Sequence, residues 1–137
     1  MDDIASQCER GTSVSSTQVA ERTLNILVVE DSYLIAVGLT RQLTDLGHTV
    51  VGPAASVDEA LRLLSQQPVD AAILDISLGE KNTCEPVARR LRELGRPFLF
   101  LTGHSADDAV PAEFTAHQRL LKPVDEDALC SAVCDLM

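Results

Sequence analysis

From Leu24 onward, short apolar runs alternate with segments in which apolar residues recur every three or four positions. Ile26-Leu27-Val28-Val29 is continuous, β-branched and apolar on both alternations. That pattern predicts a strand buried on both faces, as in a parallel sheet. Ile35, Leu39, Leu43 and Leu46 mark one face of a helix, stopped by Gly47. Thr49-Val50-Val51-Gly52 reads as a second short strand. Ser56-Val57-Asp58-Glu59 is a capping box opening a helix whose stripe is Val57, Ala60, Leu61 and Leu64. Ala71-Ala72-Ile73-Leu74 is a third strand, ending in Asp75. Val87, Leu91 and Leu94 mark a third helix, stopped by Gly95. Pro97-Phe98-Leu99-Phe100-Leu101 is a fourth strand, ending in Thr102-Gly103. Leu120-Leu121 forms a short fifth strand before Lys122-Pro123. A last helix starts near Asp125 and buries Leu129, Ala132, Val133 and Leu136.

Strands thus alternate with helices five times, which is the pattern of an α/β domain: a doubly wound parallel sheet with helices on both faces. The domain is expected to span residues 24–137, leaving no sequence for an output domain. Residues 1–23 hold neither a strand nor a helix period and read as a disordered or weakly structured tail. Residues 104–117 carry a broken helical pattern interrupted by Pro111, which predicts a short or mobile helix.

In an open α/β sheet, ligands bind at the carboxyl ends of the strands. Strand one ends in Glu30 and Asp31, strand three in Asp75, strand four in Thr102 and strand five in Lys122. Three carboxylates at one edge repel each other and are driven toward protonation unless a counter-charge is present. A hard cation such as Mg²⁺, which takes carboxylate and phosphate oxygens and keeps waters, supplies it. A carboxylate so placed can act as nucleophile toward a phosphoryl group. An ammonium (Lys122) and a hydroxyl (Thr102) can stabilise charge on the equatorial oxygens of the transferring group.

Composition narrows the picture further. The chain has 137 residues, enough for one ordinary domain. It is 45% hydrophobic but only 3% aromatic, so the core must be aliphatic. Its formal net charge of −10, without a Lys/Arg cluster, argues against nucleic acid as a partner. No apolar run is long enough to span a bilayer, and the start, Met1-Asp2-Asp3-Ile4, is not a secretory signal; no membrane partner and a cytoplasmic location are expected. Cys8, Cys84, Cys130 and Cys134 contain no C-x-x-C pair and read as small apolar fillers.

Val28-Val29-Glu30-Asp31, Leu74-Asp75-Ile76-Ser77-Leu78, Leu101-Thr102-Gly103 and Leu121-Lys122-Pro123 together resemble the receiver domains of two-component response regulators. The resemblance covers residues 24–137. It implies a flavodoxin-like strand order 2-1-3-4-5, with Asp75 as phosphoacceptor and Mg²⁺ held by Glu30, Asp31, Asp75 and the Ser77 main-chain carbonyl. It further implies Thr102 as the switch hydroxyl, Lys122 as the phosphate-binding cation, and a sensor histidine kinase or phosphotransfer protein as partner. Phe98-Leu99-Phe100-Leu101-Thr102-Gly103-His104 is similar to the signature of a stand-alone alphaproteobacterial subgroup (FATGUY type), often linked to kinases of the HWE type; Leu101 replaces its alanine. Most receivers carry Tyr or Phe three residues before the lysine, whereas this chain has Arg119. That departure puts the usual threonine–aromatic coupling in question, and makes His104 a candidate gate beside the site.

Three functions compete on this reading. A working receiver either signals by protein contact or drains phosphate from a shared kinase. A non-phosphorylated receiver-like interaction module needs the acidic site to be dispensable. An enzyme on a similar sheet is disfavoured. The position two after Asp75 is Ser77, not the second acid of an aspartate phosphatase, and neither G-x-x-x-x-G-K-[ST] nor G-x-G-x-x-G occurs. Any catalysis is expected to be confined to the domain's own phosphorylation and dephosphorylation.

Overall fold

The computed structural model describes residues 23–76, 84–103, 118–122 and 124–136. Among them the order is β1 (Asn25–Val29), α1 (Tyr33–Asp45), β2 (Thr49–Ala54), α2 (Val57–Gln66), β3 (Ala71–Asp75), α3 (Glu85–Glu93), β4 (Phe98–Thr102), β5 (Arg119–Leu121) and α4 (Glu126–Leu136). The strands form one parallel sheet in the order β2-β1-β3-β4-β5. This is the doubly wound, flavodoxin-like arrangement expected. Of the tail read at residues 1–23, all but Thr23 lies outside the described residues, as do the segment read as a broken helix (104–117, with His104) and Ser77.

Strand residues alternate between two cores because successive side chains point to opposite faces of the sheet. Leu27, Val29, Ala72, Leu74, Phe98 and Phe100 pack on one side against Ala60 of α2 and Val87, Ala88 and Leu91 of α3. Ile26, Val28, Ala71, Ile73, Leu99 and Leu101 pack on the other against Leu39 and Leu43 of α1 and Leu129, Ala132 and Val133 of α4. All five positions of β3 are buried, which is why the central strands read as unbroken apolar runs.

Helix ends follow the predicted chemistry. Gly47 and Gly95 stand just past α1 and α3, and each closes a Schellman motif: Gly47 N–H to Thr44 O and His48 N–H to Leu43 O, then Gly95 N–H to Arg92 O and Arg96 N–H to Leu91 O. Glu59 N–H donates to Ser56 Oγ at 3.2 Å while Ala55 N–H donates to Glu59 Oε1 at 3.1 Å. The box thus satisfies one donor within α2 and one just ahead of it.

Three expectations need correction. β2 does not stop at Gly52: it turns there through a cis Gly52–Pro53 peptide and rejoins β1 at Ala54. Leu94 is 41% exposed, because α3 ends at Glu93 and Leu94 is the capping residue rather than part of the buried stripe. In α2, by contrast, the expected stripe holds: Ala60 is fully buried, and Val57, Leu61 and Leu64 are partly buried and packed against the core. Cys84 is a buried filler whose thiol burial pushes up to about 12, but Cys134 is exposed on α4.

His48 is buried where α1 runs into β2, and its Nδ1 accepts the Leu24 N–H at 3.1 Å. Thr49 N–H returns a bond to Leu24 O at 2.9 Å, so this pair clamps the start of β1. Burial holds the His48 imidazole below its usual value of 6.5. The unfolded chain therefore takes up a proton that the folded one refuses, and stability is lost as pH falls below 6.5 toward the folded value. The expected slope is at most about 1.4 kcal/mol per pH unit. Urea unfolding of wild type and His48→Asn across pH 5 to 8 (roughly the range in which histidine titrates) should show this slope only in wild type.

Candidate functional site

The site follows from strand parity. Glu30 continues the series Ile26, Val28 beyond the end of β1, and Asp75 continues Ala71, Ile73 at the end of β3, so both belong to the α1/α4 side of the sheet. β1 and β3 are neighbours in register, Val29 beside Leu74, which brings the two acids to one edge. Asp31 follows immediately. Glu30, Asp31 and Asp75 each offer a carboxylate oxygen, all within 4.8 Å of one another. Glu30 and Asp75 are buried at 2% and 3% exposure, whereas Asp31 is exposed and opens the cluster to water.

Lys122 comes from the far side of the sheet. β5 pairs with β4, Thr102 beside Leu121, and Lys122 N–H donates to Thr102 O at 2.8 Å. This bond fixes the lysine backbone beside the end of β4, and its side chain reaches back across the edge. Nζ lies 2.9 Å from Glu30 Oε2 and 3.0 Å from Asp75 Oδ2. The structure thus brings Glu30, Asp31, Asp75 and Lys122 together, and places half-buried Thr102 next to them along the edge.

The charges perturb one another. Burial pushes the Glu30 carboxyl above the usual carboxylate range; Asp75 adds to that, while the Lys122 ammonium and the Ser32 N–H, 3.0 Å from Glu30 Oε1, oppose it. Burial works against the Lys122 ammonium, but its hydrogen bonds to Glu30 and Asp75 outweigh that and hold it above its usual range. Beyond the ion pair with Lys122, no directed hydrogen bond meets Glu30 Oε2 among the described residues. An all-oxygen cluster with two buried carboxylates sharing a single ammonium on one side and an exposed carboxylate on the other fits a hard divalent cation that keeps part of its water.

Two features escaped the sequence. Lys122 pairs with Glu30 as well as with Asp75, which no motif spacing announces. Tyr33 and Leu34 open α1 two and three residues after Asp31 and are 79% and 82% exposed, with Val37 at 45%. Their signal was available: they are apolar residues lying off the Ile35, Leu39, Leu43 stripe.

The profile of the response regulator receiver domain matches residues 26–134. The chain belongs to the receiver-domain family of two-component response regulators. This receiver is similar to SdrG from Sphingomonas melonis Fr1, with 38% identity and a TM-score of 0.75 over 83% of this chain and 96% of that one. A further solution structure, described as the BeF₃-activated conformation of SdrG, shares 41% identity at a TM-score of 0.70, over 83% of this chain and 97% of that one. The transcriptional regulatory protein GlrR of Escherichia coli K12 is 34% identical over 87% of this chain, but the receiver spans only 27% of GlrR.

Mg²⁺ should stabilise this protein thermally, because a ligand that binds only the folded state at a hundred times its Kd adds about 2.7 kcal/mol. Asp31→Asn, at an exposed position, should change the metal-free melting temperature little while removing most of the Mg²⁺-dependent rise. Calorimetric scans with Mg²⁺ and with EDTA check both; a metal-independent melting temperature in wild type would rule the cation site out.

Proposed function

We propose that this receiver, as residues 24–137 with residues 1–23 as an appended tail, accepts a phosphoryl group on Asp75 from a histidine kinase or phosphotransfer protein in the cytoplasm. The observation that carries this reading is the Lys122 ammonium 3.0 Å from the Asp75 carboxylate, beside two further acids at the sheet edge. Asp75 Oδ attacks phosphorus, a new O–P bond forms as the N–P bond of a phosphohistidine breaks, and the departing imidazole recovers a proton from solvent. Lys122 moves its charge onto a phosphoryl oxygen, leaving Glu30, and Thr102 offers its hydroxyl to another. Glu30, Asp31, Asp75 and the Ser77 main-chain carbonyl are the groups proposed to hold Mg²⁺. When bound, that ion neutralises charge on the phosphoryl oxygens.

The likeness to SdrG supports the reading, since BeF₃ is a tetrahedral stand-in for a phosphoryl group on a carboxylate and one structure of SdrG is described as activated by it. Signalling then proceeds by protein contact, or the domain drains phosphate from a kinase, with an HWE-type kinase as the proposed donor. Nucleic acid is not the proposed target: on α3, Arg89 pairs with Glu85 and Arg90 with Glu93. No helix among the described residues is long and apolar enough to cross a membrane.

The exposed Tyr33–Leu34–Val37 face is the surface proposed to receive the donor, because it adjoins the phosphoacceptor edge and large apolar residues there gain by being covered. Two measurements test the reading. Mass spectrometry after acetyl phosphate and Mg²⁺ should show a gain of about 80 Da, one phosphoryl group, in wild type and none in Asp75→Ala; no gain in either would favour a non-phosphorylated interaction module. Leu34→Asp should slow transfer from the cognate kinase about tenfold, the loss of one interface anchor, and leave labelling by acetyl phosphate unchanged.

A further inference from the structure

β1 and β2 do not stay in step. Asn25, Ile26 and Leu27 stand beside Thr49, Val50 and Val51, but Val29 stands beside Ala54, so β2 spends one extra residue opposite Val28. The extra residue falls at Gly52, whose φ is +97°. A Cβ at Gly52 would lie 2.7 Å from Ala54 N and 3.4 Å from Val28 O, both backbone atoms that no rotamer can move aside. Only a residue without a Cβ fits this turn unchanged. The slip has a local result. It delivers the Ala54 carbonyl to the Glu30 N–H at 2.9 Å, just past the end of β1. Glu30 is therefore held at its backbone by Ala54 and at its side chain by the Ser32 N–H and Lys122.

We propose that Gly52 is a positioning residue for the cation site: by letting β2 carry one extra residue, it aims the Ala54 carbonyl at the Glu30 N–H and so fixes the Glu30 carboxylate for Mg²⁺. The inference rests on the proposed role of Glu30 as a metal-binding acid. Gly52 touches neither the ion nor Asp75. It acts two steps away, as outer groups do when they orient a ligand. A Cβ at this position displaces Ala54, frees the Glu30 N–H and lets the carboxylate wander from the edge.

Isothermal titration with Mg²⁺ alone, on the full chain, is the test. Gly52→Ala should raise the Kd for Mg²⁺ about tenfold or more, the usual effect of losing a group that orients a ligand. Acetyl phosphate labelling should then need correspondingly more Mg²⁺ while reaching the wild-type rate at saturation, a split that general destabilisation does not produce. Val87→Ala, a core truncation on α3, outside the β1–β2 pair, serves as the stability control and should leave the Kd unchanged. Gly52→Asn, whose side chain tolerates positive φ but still carries a Cβ, replaces Gly52→Ala if the latter does not fold, and should show the same loss. By NMR, the Glu30 amide should exchange slowly in metal-free wild type and quickly in the Gly52 variant, while Val28 and Val29 stay protected. A Gly52 variant that is folded and binds Mg²⁺ as wild type does overturns this inference. Failure of wild type itself to bind Mg²⁺ overturns the site reading beneath it.

Discussion

One ammonium between two buried carboxylates sets the terms for the rest of this domain. Lys122 lies within 3.0 Å of both Glu30 and Asp75, and neither acid is open to solvent. Removing one partner of such a cluster leaves an uncompensated buried charge, at a cost of about 3–5 kcal/mol. Even with Lys122 in place, two carboxylates share its one ammonium and a third, Asp31, stands beside them. Burial meets part of that shortfall by pushing Glu30 toward its protonated form. The alternative is a further cation, and the exposed Asp31 gives it a way in. The edge thus carries more negative charge than its one ammonium offsets, which is the electrostatic condition that the proposed cation and phosphoryl group would each relieve.

Much of this was legible in the chain because two periodicities suffice to place it. A run that is apolar on both alternations must be a strand covered on both faces, and β3, buried throughout, is that case. Once strands are placed, parity puts Glu30 and Asp75 on the same side, and the rule that ligands gather at carboxyl ends supplies the rest. What was not legible depends on distances between strands. Lys122 reaches Glu30 across the two strands that separate β5 from β1, which no local pattern encodes. The slip in β2 was hidden because Gly52 looks like a strand terminator, whereas its backbone carries the strand onward. Leu94 misled for a simpler reason: it has the right spacing for the α3 stripe, but the Schellman turn at Gly95 ends the helix before it.

β5 is where this receiver departs from the pattern of its family. Arg119 takes the place of the aromatic residue, and both Arg119 and Leu121 face outward while Leu120 anchors the strand in the core. The link between the site and this edge is therefore carried by the Lys122 side chain and by its N–H bond to Thr102 O. In the proposed phosphorylated state, Lys122 leaving Glu30 would act on β5 through this backbone bond, without a ring turning inward.

Glu30 and Asp31 are adjacent acids with opposite treatment, and the difference is physical. Asp31 is hydrated and needs no support. Glu30 is withdrawn from water and so must be held, or its carboxylate would be expelled or neutralised. Its backbone is tied to Ala54, one oxygen to the Ser32 N–H and the other to the Lys122 ammonium. Of these three, the Lys122 contact is the one a phosphoryl group would take away. The other two come from the backbone on either side of β1's end, and one of them exists only because β2 runs a residue long. The geometry of the acidic edge when Lys122 is engaged elsewhere therefore rests on main-chain bonds, and the turn at Gly52 governs how well the more buried of the two adjacent acids keeps its place.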